Sequence, residues 1–173
     1  TYGDVIVNQA MKLPKLTSDL LKRMESKFQP TPIKFHYTYN MRELSRTFQG
    51  IFNADKEGII KAESKYQIKS DIFLLFLWKH EVTRVFSDKL RDVEDKKEFL
   101  NIVEIVLGEN FDKEITDQLK NDIYFADYLR PKTINDDIGC LVFPKAYENV
   151  ETLDKARWIV RPTRWLQNGS KLF

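Results

Sequence analysis

The sequence predicts an all-α domain, a bundle of five or more helices followed by an irregular C-terminal segment with a short β-like stretch. Three observations carry that prediction. Apolar residues recur at three- and four-residue spacings in five separate stretches, the mark of helices with one buried face. Prolines and helix-capping residues fall at the borders of those stretches. Of the 173 residues 42% are hydrophobic, enough for a chain of this size to bury a core and too many for a disordered one.

The first helix is expected near residues 17–28, where Leu16, Leu20, Leu21, Met24 and Phe28 share a face and Thr17 or Ser18 can cap the start. Pro30 and Pro32 end it and push the residues before them toward extended angles. Gln29 to Tyr39 therefore reads as an ordered connector pinned on one side by Ile33, Phe35, Tyr37 and Tyr39. Asn40 and Glu43 form a capping-box variant that opens a second helix near residues 40–53, with Met41, Leu44, Phe48, Ile51 and Phe52 as its buried stripe. From Ala54 to Lys69 the composition turns polar and a loop is expected.

Ser70 and Asp71 start a third helix, near residues 70–90, apolar all round in its first turns and narrowing to Val82, Val85, Phe86 and Leu90. A fourth, near 93–107, carries Glu94 and Asp95 at its positive end and stops at Gly108. A fifth, near 112–123, offers Ile115, Leu119 and Ile123. After Arg130 and Pro131 come an irregular stretch holding Asn135, Asp136, Asp137 and Gly139, a β-like Cys140 to Phe143, and a weak helical pattern from Glu148 onward.

Charge and composition narrow the function classes. The 28 Lys and Arg against 26 Asp and Glu leave +2, too little for a bulk field that would draw the molecule onto nucleic acid or a membrane. The longest apolar run, Ile72 to Trp78, is far short of the roughly 20 residues a spanning helix needs. A single cysteine, Cys140, cannot form an internal disulfide, so a soluble domain in a reducing compartment is expected. The chain opens on Thr1 rather than Met, which points to a piece of a longer polypeptide.

Few constellations could carry chemistry. His80 and Glu81 suggest a helical zinc site, but Arg84 occupies the second ligand position and the only other histidine is His36, so no metal site is expected. Glu81, Arg84 and Asp88 read instead as i,i+3 and i,i+4 ion pairing along one helix, worth a few tenths of a kcal/mol per pair. No phosphate-binding glycine loop is present, so the chain does not cradle a nucleotide alone. Cys140 has no partner base nearby in sequence and reads as an inert thiol, Asp136 and Asp137 as turn formers. No catalytic residue is assigned.

Arg42 falls in the first turn of the second helix, where free N–H groups and the helix dipole favour an anion; Arg46, one turn on, could support it or pair with Glu43. The tail holds Lys155, Arg157, Arg161, Arg164 and Lys171 interleaved with Trp158 and Trp165, a pattern able to track a phosphate backbone, but a surface helix docked through its tryptophans is the preferred reading. A free-standing interaction module that grips a protein or RNA through this tail is the alternative reading.

Four stretches carry a resemblance. QPTPIKFHYTYNMRELSRTFQG at residues 29–50 resembles a signature of dynein heavy chains, and LWKHEVTRVFSDKL at 77–90 resembles the helix that follows it in the third AAA+ module of the motor ring, closest to the axonemal outer-arm type. YFADYLR at 124–130 and AYE at 146–148 are similar to the exit of that module. The resemblance spans about residues 16–157 in register, thins over 54–69, and does not continue into the tail.

The resemblance implies that residues 1–157 form the small helical C-terminal subdomain, or lid, of an AAA+ module, with 158–173 a basic tail leading toward the next module. Such a lid closes over ATP or ADP held with Mg by a large α/β subdomain, and contributes a sensor arginine whose matching position is Arg42. It also implies no ATPase or microtubule contact in this chain alone, a microtubule-motor ATPase as parent, and a place in the cytoskeleton of a cilium or flagellum. The expected partners are the large subdomain and neighbouring modules of the same heavy chain; membrane and nucleic acid are not expected ones.

Overall fold

The computed structural model describes residues 4–54, 70–120, 124–126, 133–135, 140–142 and 148–150. The loop expected over 55–69, the end of the fifth helix, Asp136, Asp137, Gly139 and the basic tail lie outside the described residues. Among the described residues, five helices form the fold: α1 (Asp4–Lys27), α2 (Met41–Phe52), α3 (Ser70–Val82), α4 (Val93–Asn110) and α5 (Lys113–Gln118). A π-helical turn, Thr83–Ser87, continues α3. α1 packs on α3 and α4, while α2 packs on α3 and the π turn. Among the described residues, no helix is long and apolar enough to cross a membrane.

α1 begins well before Thr17 and carries Pro14 inside it, despite a cost of roughly 3 kcal/mol for an interior proline. Burial offsets that cost. Leu13, Leu16, Leu20, Leu21 and Met24 all enter the core, each contributing about 1.5–3 kcal/mol. Thr17 is therefore not a cap. It is fully buried, its hydroxyl donates to the Leu13 carbonyl at 2.7 Å and accepts the Trp78 indole N–H at 2.9 Å. That places the largest core side chain, Trp78 of α3, against α1 with its polar atom satisfied.

The connector is only half extended. Lys34 N–H bonds the Thr31 carbonyl and Tyr37 N–H bonds the Lys34 carbonyl, so a turn interrupts the alternation. Ile33 and Phe35 are consequently 81% and 75% exposed, while Tyr37 and Tyr39 are buried as expected.

α3 does not continue as α-helix to Leu90. Its last turn widens, and Val85, Phe86 and Ser87 all become buried. α4 runs through Gly108 to Asn110, because the Asn110 side chain caps the Val106 carbonyl at 2.8 Å and Phe111 N–H bonds Leu107. α5 ends at Gln118 in a tightened turn, Lys120 N–H bonding Asp117, with the Lys79 ammonium 2.7 Å from the Leu119 carbonyl.

Two small antiparallel pairs follow. β1 (Phe125–Ala126) pairs with β4 (Glu148–Asn149), and β2 (Thr133–Asn135) pairs with β3 (Cys140–Val142) in the register Asn135 to Cys140. The β-like stretch at Cys140 is thus realised as a hairpin strand. Of the helical pattern expected from Glu148 onward, Glu148 and Asn149 instead form a strand on Phe125 and Ala126, and residues 151–173 lie outside the described residues.

Candidate functional site

α2 starts where the sequence places it. Asn40 is extended, its Oδ1 accepts the Arg42 N–H at 2.8 Å, and its own N–H donates to Glu43 Oε2 at 3.0 Å, a complete capping box. The Glu43 N–H bonds the Asn40 carbonyl at 3.1 Å. This corrects one premise: the first-turn amides of Arg42 and Glu43 are already occupied, so an anion here meets the guanidinium and the helix dipole rather than a bare row of N–H groups.

Both candidate arginines, Arg42 and Arg46, are exposed. Four residues apart, they lie on one face of α2. Glu43 does not pair with Arg46. Its side chain turns inward, where Oε1 accepts from the Lys89 ammonium at 2.8 Å while Oε2 serves the cap. Among the described residues no carboxylate neutralises either arginine, so two positive side chains stand together at the positive end of a helix.

The buried face of α2 is not the stripe read from the sequence. Glu43, Thr47, Gly50 and Ile51 are buried, Leu44 and Phe48 are partly so, and Met41 and Phe52 are 68% and 80% exposed. Gly50 explains the rotation. It lies so close to the carboxylate of fully buried Glu81 on α3 that a Cβ there would be driven into it. Only a glycine leaves room beside α2 for that carboxylate.

Glu81 pairs with Arg84 at 2.5 Å, as the spacing predicts, but the pair straddles the surface: the Glu81 carboxylate is fully buried while the Arg84 side chain, in the π turn, is half exposed. With its oxygens out of water, Glu81 depends on such bonds more than an exposed carboxylate would. His80 Nε2 is 3.9 Å from the same carboxylate, and the ring packs edge-on to Phe125 at 5.5 Å. Burial pushes the His80 imidazole below its ordinary range, only partly opposed by Glu81. His36 sits instead between Phe35 and Tyr37. The two histidines thus occupy separate aromatic settings. Cys140 lies in β3.

Two clusters missed by sequence spacing fasten this end of the molecule. In the first, the Lys34 ammonium bridges Asp92 at 2.5 Å and Asp95 at 2.6 Å, and the Tyr37 hydroxyl donates to Asp95 at 2.7 Å while accepting Arg91 N–H. The Lys34 hydrogen bond, joined by that of Tyr37, holds Asp95 below the usual carboxylate range, and the bonds to Asp92 and Asp95 push Lys34 up. In the second, Lys89 binds Glu43, donates to the Thr38 carbonyl at 3.1 Å, and lies 4.6 Å from the Tyr39 ring centroid. Burial would raise Glu43, yet the Lys89 hydrogen bond and the Asn40 N–H bring it below its ordinary value. Lys89 sits 46 residues from Glu43, beyond the reach of any periodicity argument.

Comparison with known proteins agrees with this architecture. The family model described as AAA+ lid domain matches residues 13–122. The dynein gamma chain of the flagellar outer arm from Chlamydomonas reinhardtii is 39% identical over 139 residues, 77% of this chain and 3% of that protein. Dynein axonemal heavy chain 5 from Mus musculus is 33% identical over 162 residues, 90% of this chain and 3% of the relative. Dynein axonemal heavy chain 2 from Homo sapiens is 35% identical over 131 residues, 75% and 3%. The chain therefore spans about 3% of the length of the curated relatives it matches. Helical architecture, family match and shared sequence converge: the chain belongs to the AAA+ lid domain family, in the form that axonemal dynein heavy chains carry.

Proposed function

We propose that this chain is the lid of the third AAA+ module of an axonemal dynein heavy chain, closing over ATP or ADP and passing the nucleotide state of that site into motion of the motor ring. The choice of module rests on the wording of residues 77–90, and the place in a cilium or flagellum on the axonemal relatives. The observation that carries the nucleotide assignment is Arg42, exposed in the first turn of a capped helix with no carboxylate upon it among the described residues. A charged group in that setting is built for an anion that arrives from outside the domain.

The residues fit such an anion in kind. Arg42 can donate paired, charge-assisted hydrogen bonds to terminal phosphate oxygens, and Arg46 adds positive potential one turn behind it. ATP, held with Mg by the large subdomain of the parent, supplies a terminal phosphate whose loss on hydrolysis removes the charge Arg42 holds. The lid then prefers different orientations in the two states. Motion follows as a rigid body because its core is closely packed.

The apolar side chains that α2 leaves outside fit the same orientation. Exposed Met41 and Phe52, with half-buried Phe48 between them, form a strip beside the arginine face, the Phe48 and Phe52 ring centroids 6.5 Å apart. A strip of this kind is suited to the apolar wall of the large subdomain. Microtubule contact belongs to distant parts of the parent. The test is Arg42→Ala in the full heavy chain, with nucleotide binding measured at this module. ATP affinity is expected to fall about tenfold or more, and unchanged affinity for both ATP and ADP would contradict the assignment.

A further inference from the structure

A side chain in a first helical turn is held only as firmly as the turn itself. α2 reaches Arg42 after a connector whose Ile33 and Phe35 are exposed and whose buried Tyr37 and Tyr39 stop short of the first turn, so a further contact is needed to fix that turn. Lys89 supplies it. The ammonium binds the inward oxygen of Glu43, the residue after Arg42, and the carbonyl of Thr38, two residues before the cap. It also sits 4.6 Å from the centroid of the Tyr39 ring. Tyr39 in turn stacks on Phe86, centroids 5.7 Å apart and planes 4° from parallel, and its hydroxyl donates to the Phe86 carbonyl at 3.2 Å.

Phe86 belongs to the π turn at the end of α3, where carbonyls run out of helical partners. Three elements thus meet on one side chain: the connector, the first turn of α2, and the α3–α4 junction. Neither Lys89 nor Glu43 is free to move separately, since both side chains are largely buried and each has a further polar partner.

We propose that Lys89 is the positioning residue for Arg42, fixing the first turn of α2 on the π turn so that discrimination of ATP from ADP depends on the α3–α4 junction. The inference rests on the assignment of Arg42 to bound nucleotide. It adds a direction of coupling: a displacement of the junction reaches Arg42 through Lys89, and a phosphate held by Arg42 pulls on α4 by the same route.

The experiment uses the full heavy chain with its other nucleotide sites disabled, and compares binding of fluorescent ATP and ADP at this module. Lys89→Met keeps the aliphatic stem beside Tyr39 and removes the ammonium. The ATP-over-ADP preference is expected to fall at least threefold, and Lys89→Met added to Arg42→Ala is expected to change nothing further, because Lys89 acts through Arg42. Glu43→Gln combined with Lys89→Met leaves no unpaired carboxylate in the site; it is expected to show the same loss, and it decides the matter if Lys89→Met alone misfolds. A native preference in the Lys89 variants, or losses that add to that of Arg42→Ala, overturn the proposal and leave Arg42 assigned. A native preference in Arg42→Ala overturns the assignment and the proposal with it.

Discussion

The two faces of α2 are built on opposite terms. The inner face carries Glu43, Thr47, Gly50 and Ile51, of which only Ile51 is strongly apolar, yet it is buried and bonded throughout. The outer face carries Met41, Phe52, Arg42 and Arg46, long side chains left in solvent. Polarity alone assigns these faces the wrong way round. Burial follows here from a capping carboxylate that finds an ammonium and from a glycine that admits the Glu81 carboxylate of a neighbouring helix, while the outer side chains are left in solvent among the described residues.

The sharpest way to break that contrast is Gly50→Ala. The added methyl has no space beside the Glu81 carboxylate, so α2 must lift from α3 or the Glu81–Arg84 pair must shift. Unfolding in denaturant should show a loss of about 2–3 kcal/mol, from overpacking against a buried carboxylate. A variant as stable as the native chain would show that the close approach is not real.

Glu43→Gln comes next. It keeps an acceptor for the Asn40 N–H and gives up the charge facing Lys89, for a loss of about 1–2 kcal/mol at pH 7. The folded-state value of Glu43 is depressed, so its contribution is present above the ordinary 4.5 and disappears as pH falls through the folded value. Native and variant stability curves should therefore converge below pH 4.5, and a constant gap down to low pH would contradict the Lys89 pairing. Asp95, also depressed, weakens the native chain over a similar acid range in both proteins and does not affect the difference.

The smallest effect belongs to the outer face. Met41→Ser and Phe52→Ser should each change the stability of this chain by less than about 0.5 kcal/mol, since little area is lost from either. A loss of 2 kcal/mol or more would place these side chains in the core and undo the comparison.

Much of the fold was legible in the sequence, because it depends on local pattern. The stripe Leu16, Leu20, Leu21, Met24 and Phe28, the Asn40 cap and the position of α4 all follow from spacing and end chemistry. The errors arise where a distant partner decides. Thr17 looks like a cap until Trp78 claims its hydroxyl, and the helix expected from near residue 17 begins at Asp4, with Leu13 buried ahead of it. Met41 and Phe52 fit a helical stripe as well as Ile51 does, and only Glu81 beneath Gly50 selects the face that packs. At the candidate site, the cap and Arg42 could be placed from sequence, whereas Lys89 and Tyr39 could not, because their contacts join residues 46 and 47 positions apart.

The central claim is that Arg42 faces a terminal phosphate across the gap between lid and large subdomain. Its most direct test is the position of the Arg42 guanidinium in an ATP-bound structure of the full heavy chain. The account predicts nitrogen-to-oxygen distances of about 2.7–2.9 Å to a terminal phosphate oxygen at the third module. An Arg42 side chain turned into solvent, or bound to a carboxylate of another subdomain while ATP sits in the cleft, would contradict it.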